Sequence, residues 1–157
     1  MKQILLLFLC SNISFILSFI TTQSASIYYD NQKFPPYKIV LNIWDPSAVA
    51  YARYKATLPK EGFDKHKIIT NQNNRYNDEI LSYAAGYLEG YFTRNRVLDH
   101  YRNLQEKTWG KLGKMPATIG SFFIDNRQFI LNMYNLNPQD NYWKLVYTIY
   151  MQYEVLV

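Results

Sequence analysis

The spacing of apolar residues changes character near residue 76 of this chain. Upstream, short β-branched and aromatic runs are separated by turn residues. Tyr37-Lys38-Ile39-Val40-Leu41-Asn42-Ile43 reads as a strand, introduced by Pro35-Pro36. Asp45-Pro46-Ser47 supplies a turn. Ala48 to Lys55 alternates loosely and predicts a second strand. Thr57 to Gly62 forms a hairpin-like connection to a third, His66-Lys67-Ile68-Ile69-Thr70, which ends on three successive β-branched residues. Strands this close in sequence predict an antiparallel sheet, because parallel pairs need long crossovers.

Downstream the period lengthens to that of a helix. Asn77 is a plausible N-cap, and Asp78 and Glu79 put negative charge on the first turn, where the helix dipole favours it. Ile80, Leu81, Ala84, Tyr87, Leu88, Tyr91 and Phe92 then fall on one face. Gly86 and Gly90 lie one turn apart on this helix. Glycine there costs roughly 1 kcal/mol against alanine, so close approach of another element is expected to offset it. Thr93 is read as the cap of a second helix carrying Val97, Leu98, Tyr101 and Leu104. Glu106 to Pro116 reads as a loop. Ile119, Phe122, Phe123, Ile130, Met133 and Tyr134 predict a third helix. Asn135 to Asn141 separates it from a fourth, with Tyr142, Trp143, Val146, Ile149, Tyr150 and Tyr153 in a stripe. The aromatic stripes of these last two helices are expected to pack as core rather than to face lipid. The chain is thus α+β, with about three strands and four helices.

The N-terminus changes the picture. Met1-Lys2 is a short positive segment, Ile4 to Ile20 is mostly apolar, and small residues follow at Ser24, Ala25 and Ser26. This is the pattern of a signal peptide over residues 1–26, cut before Ile27, with 27–157 as the mature part. Asn12-Ile13-Ser14 matches a glycosylation acceptor but lies in the removed segment. No other stretch is apolar enough to span a bilayer. The formal charge of +5 falls by one with Lys2, to +4. Such basicity suits anionic surfaces, yet Lys and Arg form no dense run, so the charge is read as scattered and solvated. Nothing points to nucleic acid.

Candidate chemistry is sparse. The single cysteine, Cys10, lies in the leader, so the mature part has neither a disulfide nor a thiol. A cut after Ala25 would expose Ser26 as an N-terminal serine with a free amine. Gln23 then occupies the third position before the bond, where a small residue is preferred, so Ser26 is read as part of the cleavage motif. His66 and His100 have no metal-ligand spacing. On one continuous helix Glu89 and His100 would sit roughly 16 Å apart, too far to share an ion. Glu89 is the charged residue of most interest, since it lies among glycines and aromatics. An ion pair with Arg94 or Arg96, or a backbone donor, would satisfy it; a part in orienting a distant nucleophile is the alternative. There is no Gly-x-Ser-x-Gly elbow and no phosphate-binding glycine loop. No catalytic, cofactor-binding or metal-ligating residue is assigned within the chain.

One segment is specific enough to suggest a family. Gly62-Phe63, Ile69-Thr70-Asn71, Asp78-Glu79, the run Ala84-Ala85-Gly86-Tyr87-Leu88-Glu89-Gly90-Tyr91-Phe92-Thr93, and His100-Tyr101-Arg102-Asn103 occur in this order. Together with Ala48-Val49-Ala50-Tyr51-Ala52, Tyr142-Trp143 and Gln152, they resemble the phospholipase B-like family of secreted and lysosomal hydrolases. The resemblance covers most of the chain after residue 40. It implies an N-terminal-nucleophile hydrolase fold, an αββα sandwich of which this chain supplies an incomplete part. It further implies self-cleavage of a precursor, attack by the newly exposed cysteine on an ester or amide carbonyl of a phospholipid or amide substrate, and the new α-amino group as base. No cofactor is implied. The family nucleophile belongs beyond Val157, so the chain is read as an N-terminal fragment whose partner is the remaining C-terminal portion of the fold. After Gln152 the family continues with glycines, whereas this chain has Tyr153-Glu154-Val155 and stops without a capping residue, as if the reading frame ended artificially. The alternative is a non-catalytic secreted module that binds lipid or protein.

Overall fold

The computed structural model describes residues 22–57, 63–72, 75–110 and 113–156. They fall into two compact units, one through Asn71 and one from Gln72 onward.

The first unit is an antiparallel sheet of four strands: β1 (Thr22–Tyr29), β2 (Tyr37–Leu41), β3 (Ala50–Lys55) and β4 (Lys65–Thr70), in spatial order β2-β1-β3-β4. In the β1–β3 pair, Ile27 stands opposite Ala50 and Ala25 opposite Ala52. All four are fully buried. Burying Ile27 alone contributes about 1.5–3 kcal/mol.

The other face carries Ser26 opposite Tyr51. Here the chain leaving β2 folds back over the sheet. Asn42 turns with φ of 60°, a conformation asparagine tolerates better than most residues, and its N–H donates to Ser24 O at 2.7 Å. The Ser26 hydroxyl donates to Ile43 O at 3.0 Å and accepts from Asp45 N at 3.0 Å. Trp44 sets its ring edge-on to Tyr51, with centroids 4.7 Å apart, and the Arg53 guanidinium lies 4.6 Å from the centre of the Trp44 ring.

Three features depart from the sequence reading. β1 is an additional strand at the middle of the sheet, in a stretch read as the end of a leader; a boundary between residues 26 and 27 falls within it. The first predicted strand ends at Leu41 rather than Ile43, because Asn42 turns the backbone. Ala48 and Val49 precede β3 instead of opening it. They are nonetheless buried, and Val49 N donates to Ile27 O at 3.0 Å.

The second unit is helical: α1 (Asp78–Trp109), α2 (Ala117–Leu136) and α3 (Asn141–Leu156). Asn77 caps α1, its side chain accepting from Ile80 N at 2.9 Å. The predicted break at Thr93 does not occur. Its hydroxyl donates back to Glu89 O at 2.7 Å, one turn earlier, so it is spent inside the helix instead of capping a new one. The two helices predicted on either side of Thr93 are therefore one, and α1 runs for 32 residues into the predicted loop, about 48 Å. Asp140 starts α3 by accepting from Tyr142 N at 2.8 Å.

α1 packs chiefly on α3, and α2 packs on α3. The two helices meet closely at Gly86, where a Cβ would lie 2.3 Å from Gln152 O. The expected tight packing at this glycine is thus helix against helix. Ala84 and Leu88 on the same stretch are fully buried. The aromatic stripe of α2, expected as core, is largely outward. No residue of α2 is buried; Phe122 is 64% and Phe123 51% exposed, while Ile130, Met133 and Tyr134 are half-buried.

Candidate functional site

Of the residues singled out from the sequence, Cys10 lies outside the described residues. Ser26 sits in the middle of the central strand, fully buried. Its hydroxyl is engaged both as donor and as acceptor by the Ile43–Asp45 segment, which is the work of a structural serine. His66 stacks edge-on against Tyr54 at 5.9 Å, and His100 is exposed on α1. Among the described residues no three His, Cys, Asp or Glu side chains are grouped to hold a metal ion.

Glu89 is half-buried on α1, and its partner is neither of the arginines considered from the sequence. Gln152 of α3 donates from Nε2 to Glu89 Oε2 at 3.1 Å. Gln152 therefore meets α1 twice: its backbone carbonyl lies against Gly86 and its side chain holds Glu89. A glycine and a glutamate three residues apart share one helix face, which is how a single residue of α3 reaches both.

A second polar cluster was not legible in the sequence. Tyr134 of α2 donates to Glu79 Oε1, at the start of α1, over 2.5 Å. The carboxylate holds the phenolic proton in place and pushes the Tyr134 pKa up to about 12, with burial adding to the effect. Tyr147 of α3 stacks flat on Tyr134, with centroids 4.0 Å and planes 6° apart. Burial raises its pKa first, and the Glu79 charge second. Further along, Arg127 of α2 grips Glu154 of α3 through Nη2 at 2.7 Å and Nε at 3.1 Å. That carboxylate holds the guanidinium pKa above its usual value. Glu79 and Tyr134 are separated by 55 positions, and no local pattern links residues so far apart.

In both clusters a carboxylate accepts from a neutral or cationic donor on another helix. The chemistry this supports is fixation of α1, α2 and α3 against one another. In the sheet unit, Asp45 plays the same part. It accepts from Tyr28 Oη at 2.5 Å and from Ser47 N and Oγ at 2.8 and 2.7 Å. Those bonds, the tyrosine's foremost, hold its carboxyl below the usual carboxylate range.

The architecture defines an α+β chain: an antiparallel sheet followed by three helices, the first opened by Asn77-Asp78-Glu79 and notched at Gly86. The chain belongs to the phospholipase B family, whose sequence model, described as Phospholipase B, matches residues 50–157. That span takes in β3, β4 and all three helices. Among its relatives, Phospholipase-B 81 of Drysdalia coronoides is 38% identical over 106 residues, 67% of this chain and 19% of the relative. Putative phospholipase B-like 2 of Caenorhabditis elegans is 27% identical over 110 residues, 69% of this chain and 19% of the relative. Phospholipase B-like 1 of Bos taurus is 25% identical over 124 residues, 76% of this chain and 23% of the relative. The chain therefore spans about a fifth of the length of these relatives. Among the described residues, no helix is long and apolar enough to cross a membrane.

Proposed function

We propose that this polypeptide is one part of a phospholipase B-like hydrolase that cleaves ester or amide bonds of lipids, with the attacking nucleophile on a portion of the family fold outside these residues. The observation that carries the reading is the family match over residues 50–157 combined with its extent, about a fifth of the relatives' length. The polar clusters fit a scaffold: each ties one helix to another, as a support for reacting groups must. On this reading the chain supplies an incomplete part of an N-terminal-nucleophile sandwich, and the protein is secreted or lysosomal. The chain alone is inactive.

The test is an assay of the purified chain on a phospholipid and on a fatty-acyl amide, beside the native protein recovered from its own cells. The expected result is no turnover by the chain alone, and a larger native precursor that splits to expose an N-terminal cysteine. Turnover by the chain alone, abolished by a single substitution within it, would overturn the proposal.

A further inference from the structure

The cations of the sheet unit are not scattered. β3 and β4 pair with Arg53 opposite Lys67 and Lys55 opposite Lys65. Directly opposed residues of an antiparallel pair share a face with Cβ atoms about 5 Å apart, and alternate residues of a strand share it too. Four basic side chains therefore stand on one face, on alternate rungs either side of the Tyr54–His66 pair. Arg53, Lys65 and Lys67 are exposed, and Lys55 is half-buried. Like charges set directly opposite destabilise a strand pair.

What surrounds the ladder points to its partner. Arg53 lies over the Trp44 ring, which fixes its guanidinium on the sheet face. At the end of the ladder Phe63 is 60% exposed. It sits next to a fixed point of the backbone: the Thr57 hydroxyl donates to Phe63 O, and the Asp64 carboxylate accepts from both Tyr54 Oη and Thr57 N. Asp64 thus ties the start of β4 to the end of β3 and to Thr57. Cations beside an outward aromatic side chain are the composition of surfaces that lie on anionic membranes, the charges meeting headgroups and the ring entering the acyl boundary.

We propose that the Arg53–Lys55–Lys65–Lys67 face is a docking surface for an anionic phospholipid membrane. The inference deepens the lipid-hydrolase reading, on which it rests for its choice of lipid, by naming how the chain meets its substrate phase. It concerns binding, not bond cleavage, so the two can fail separately.

The experiment is co-sedimentation of the whole protein with phosphatidylcholine vesicles, with and without phosphatidylserine, at low and high salt. The parent is expected to bind the serine-containing vesicles alone, and to be released by salt. Each cation near an anionic surface is worth about fivefold in partition, so Lys55→Gln combined with Lys67→Gln should weaken binding about twenty-five-fold. Lys144→Gln, on α3, should leave it unchanged. Because the double variant removes like-charge repulsion on both rungs, it should melt no lower than the parent, so lost binding cannot be ascribed to lost fold. Equal binding to both vesicle types, or undiminished binding by the double variant, would overturn the proposal. So would binding to soluble polyglutamate with none to vesicles. Vesicle binding by the chain, with no lipid turnover by the native protein recovered from its own cells, would support the docking face and count against the hydrolase reading. Turnover of dispersed short-chain lipid with no vesicle binding would do the reverse.

Discussion

Gly86 is the position where a single methyl group decides whether α1 and α3 can meet. A Cβ there would lie 2.3 Å from Gln152 O and 3.0 Å from both Gln152 C and Cα. These are backbone atoms, so no side chain can swing aside, and α3 must retreat by about 1 Å to reach ordinary contact. Forcing an extra methyl into a packed contact costs about 1–3 kcal/mol. The retreat also stretches the 3.1 Å bond from Gln152 to Glu89, a further loss of about 1 kcal/mol. Against this stands the gain of alanine over glycine in a helix, about 1 kcal/mol. Gly86→Ala should therefore destabilise the protein by about 1–3 kcal/mol. Gly120 of α2 provides the control, since nothing lies within 4 Å of its Cβ position; there the same change should stabilise by up to about 1 kcal/mol. Urea denaturation followed by helical circular dichroism measures both. Gln152→Ala should not rescue Gly86→Ala, because the clash is with the main chain. A Gly86→Ala protein as stable as the parent would refute the reasoning.

Tyr134→Phe should cost about 1 kcal/mol through loss of the bond to Glu79, read by the same denaturation. In the parent, Tyr134 has a folded pKa raised to about 12. Its contribution is therefore complete below the unfolded value near 10 and fades as pH rises towards 12; ultraviolet titration of Tyr134→Phe should lose a late-titrating tyrosine that the parent shows. Asp45 is shifted the other way, downward. Its contribution is present above the ordinary carboxylate range and is lost as pH falls through its depressed value, so Asp45→Asn should flatten the acid limb of the sheet's pH–stability curve. A chain beginning at Ile27 lacks Thr22 to Ser26, five of the eight residues of β1, and with them both hydrogen bonds of the Ser26 hydroxyl. It should be less stable than one beginning at Thr22 by more than about 2 kcal/mol, and equal melting of the two would show that the β1 pairing carries little.

The elements legible in the sequence were those marked by local chemistry. Asn77 with Asp78 and Glu79 announced the start of α1, and that cap is made as read. The β-branched run Ile68-Ile69-Thr70 announced β4. The errors came where one local pattern admits two uses. The strand β1 went unread because Ser24-Ala25-Ser26 carries small residues in place of the β-branched ones that mark a strand. Thr93 has a hydroxyl that can cap a new helix or bond back to its own, and the continuing run of helix formers after it favours the second. The outward stripe of α2 has the spacing of a buried one, because period reports which residues share a face and not whether anything covers that face.

The polar clusters and the cationic ladder lie on the next level, where pairing rather than pattern decides. Alternation already put Arg53 and Lys55 on one face of β3, opposite Ala50 and Ala52, and Lys67 on the face of β4 away from Ile68; Lys65 joins it because β4 begins one residue earlier than read. What it could not supply was the pairing of those two faces. That pairing is set by register, and a slip of one residue would turn every cation of one strand to the side of the buried alanines. The alanines forbid such a slip: Ala52 faces Ile68 across the pair, and a lysine in place of that isoleucine would carry an uncompensated charge toward the interior. The residues that bury one face of the sheet therefore also hold the four cations together on the other. A charge run absent from the sequence is present on the surface because of where the apolar residues must go.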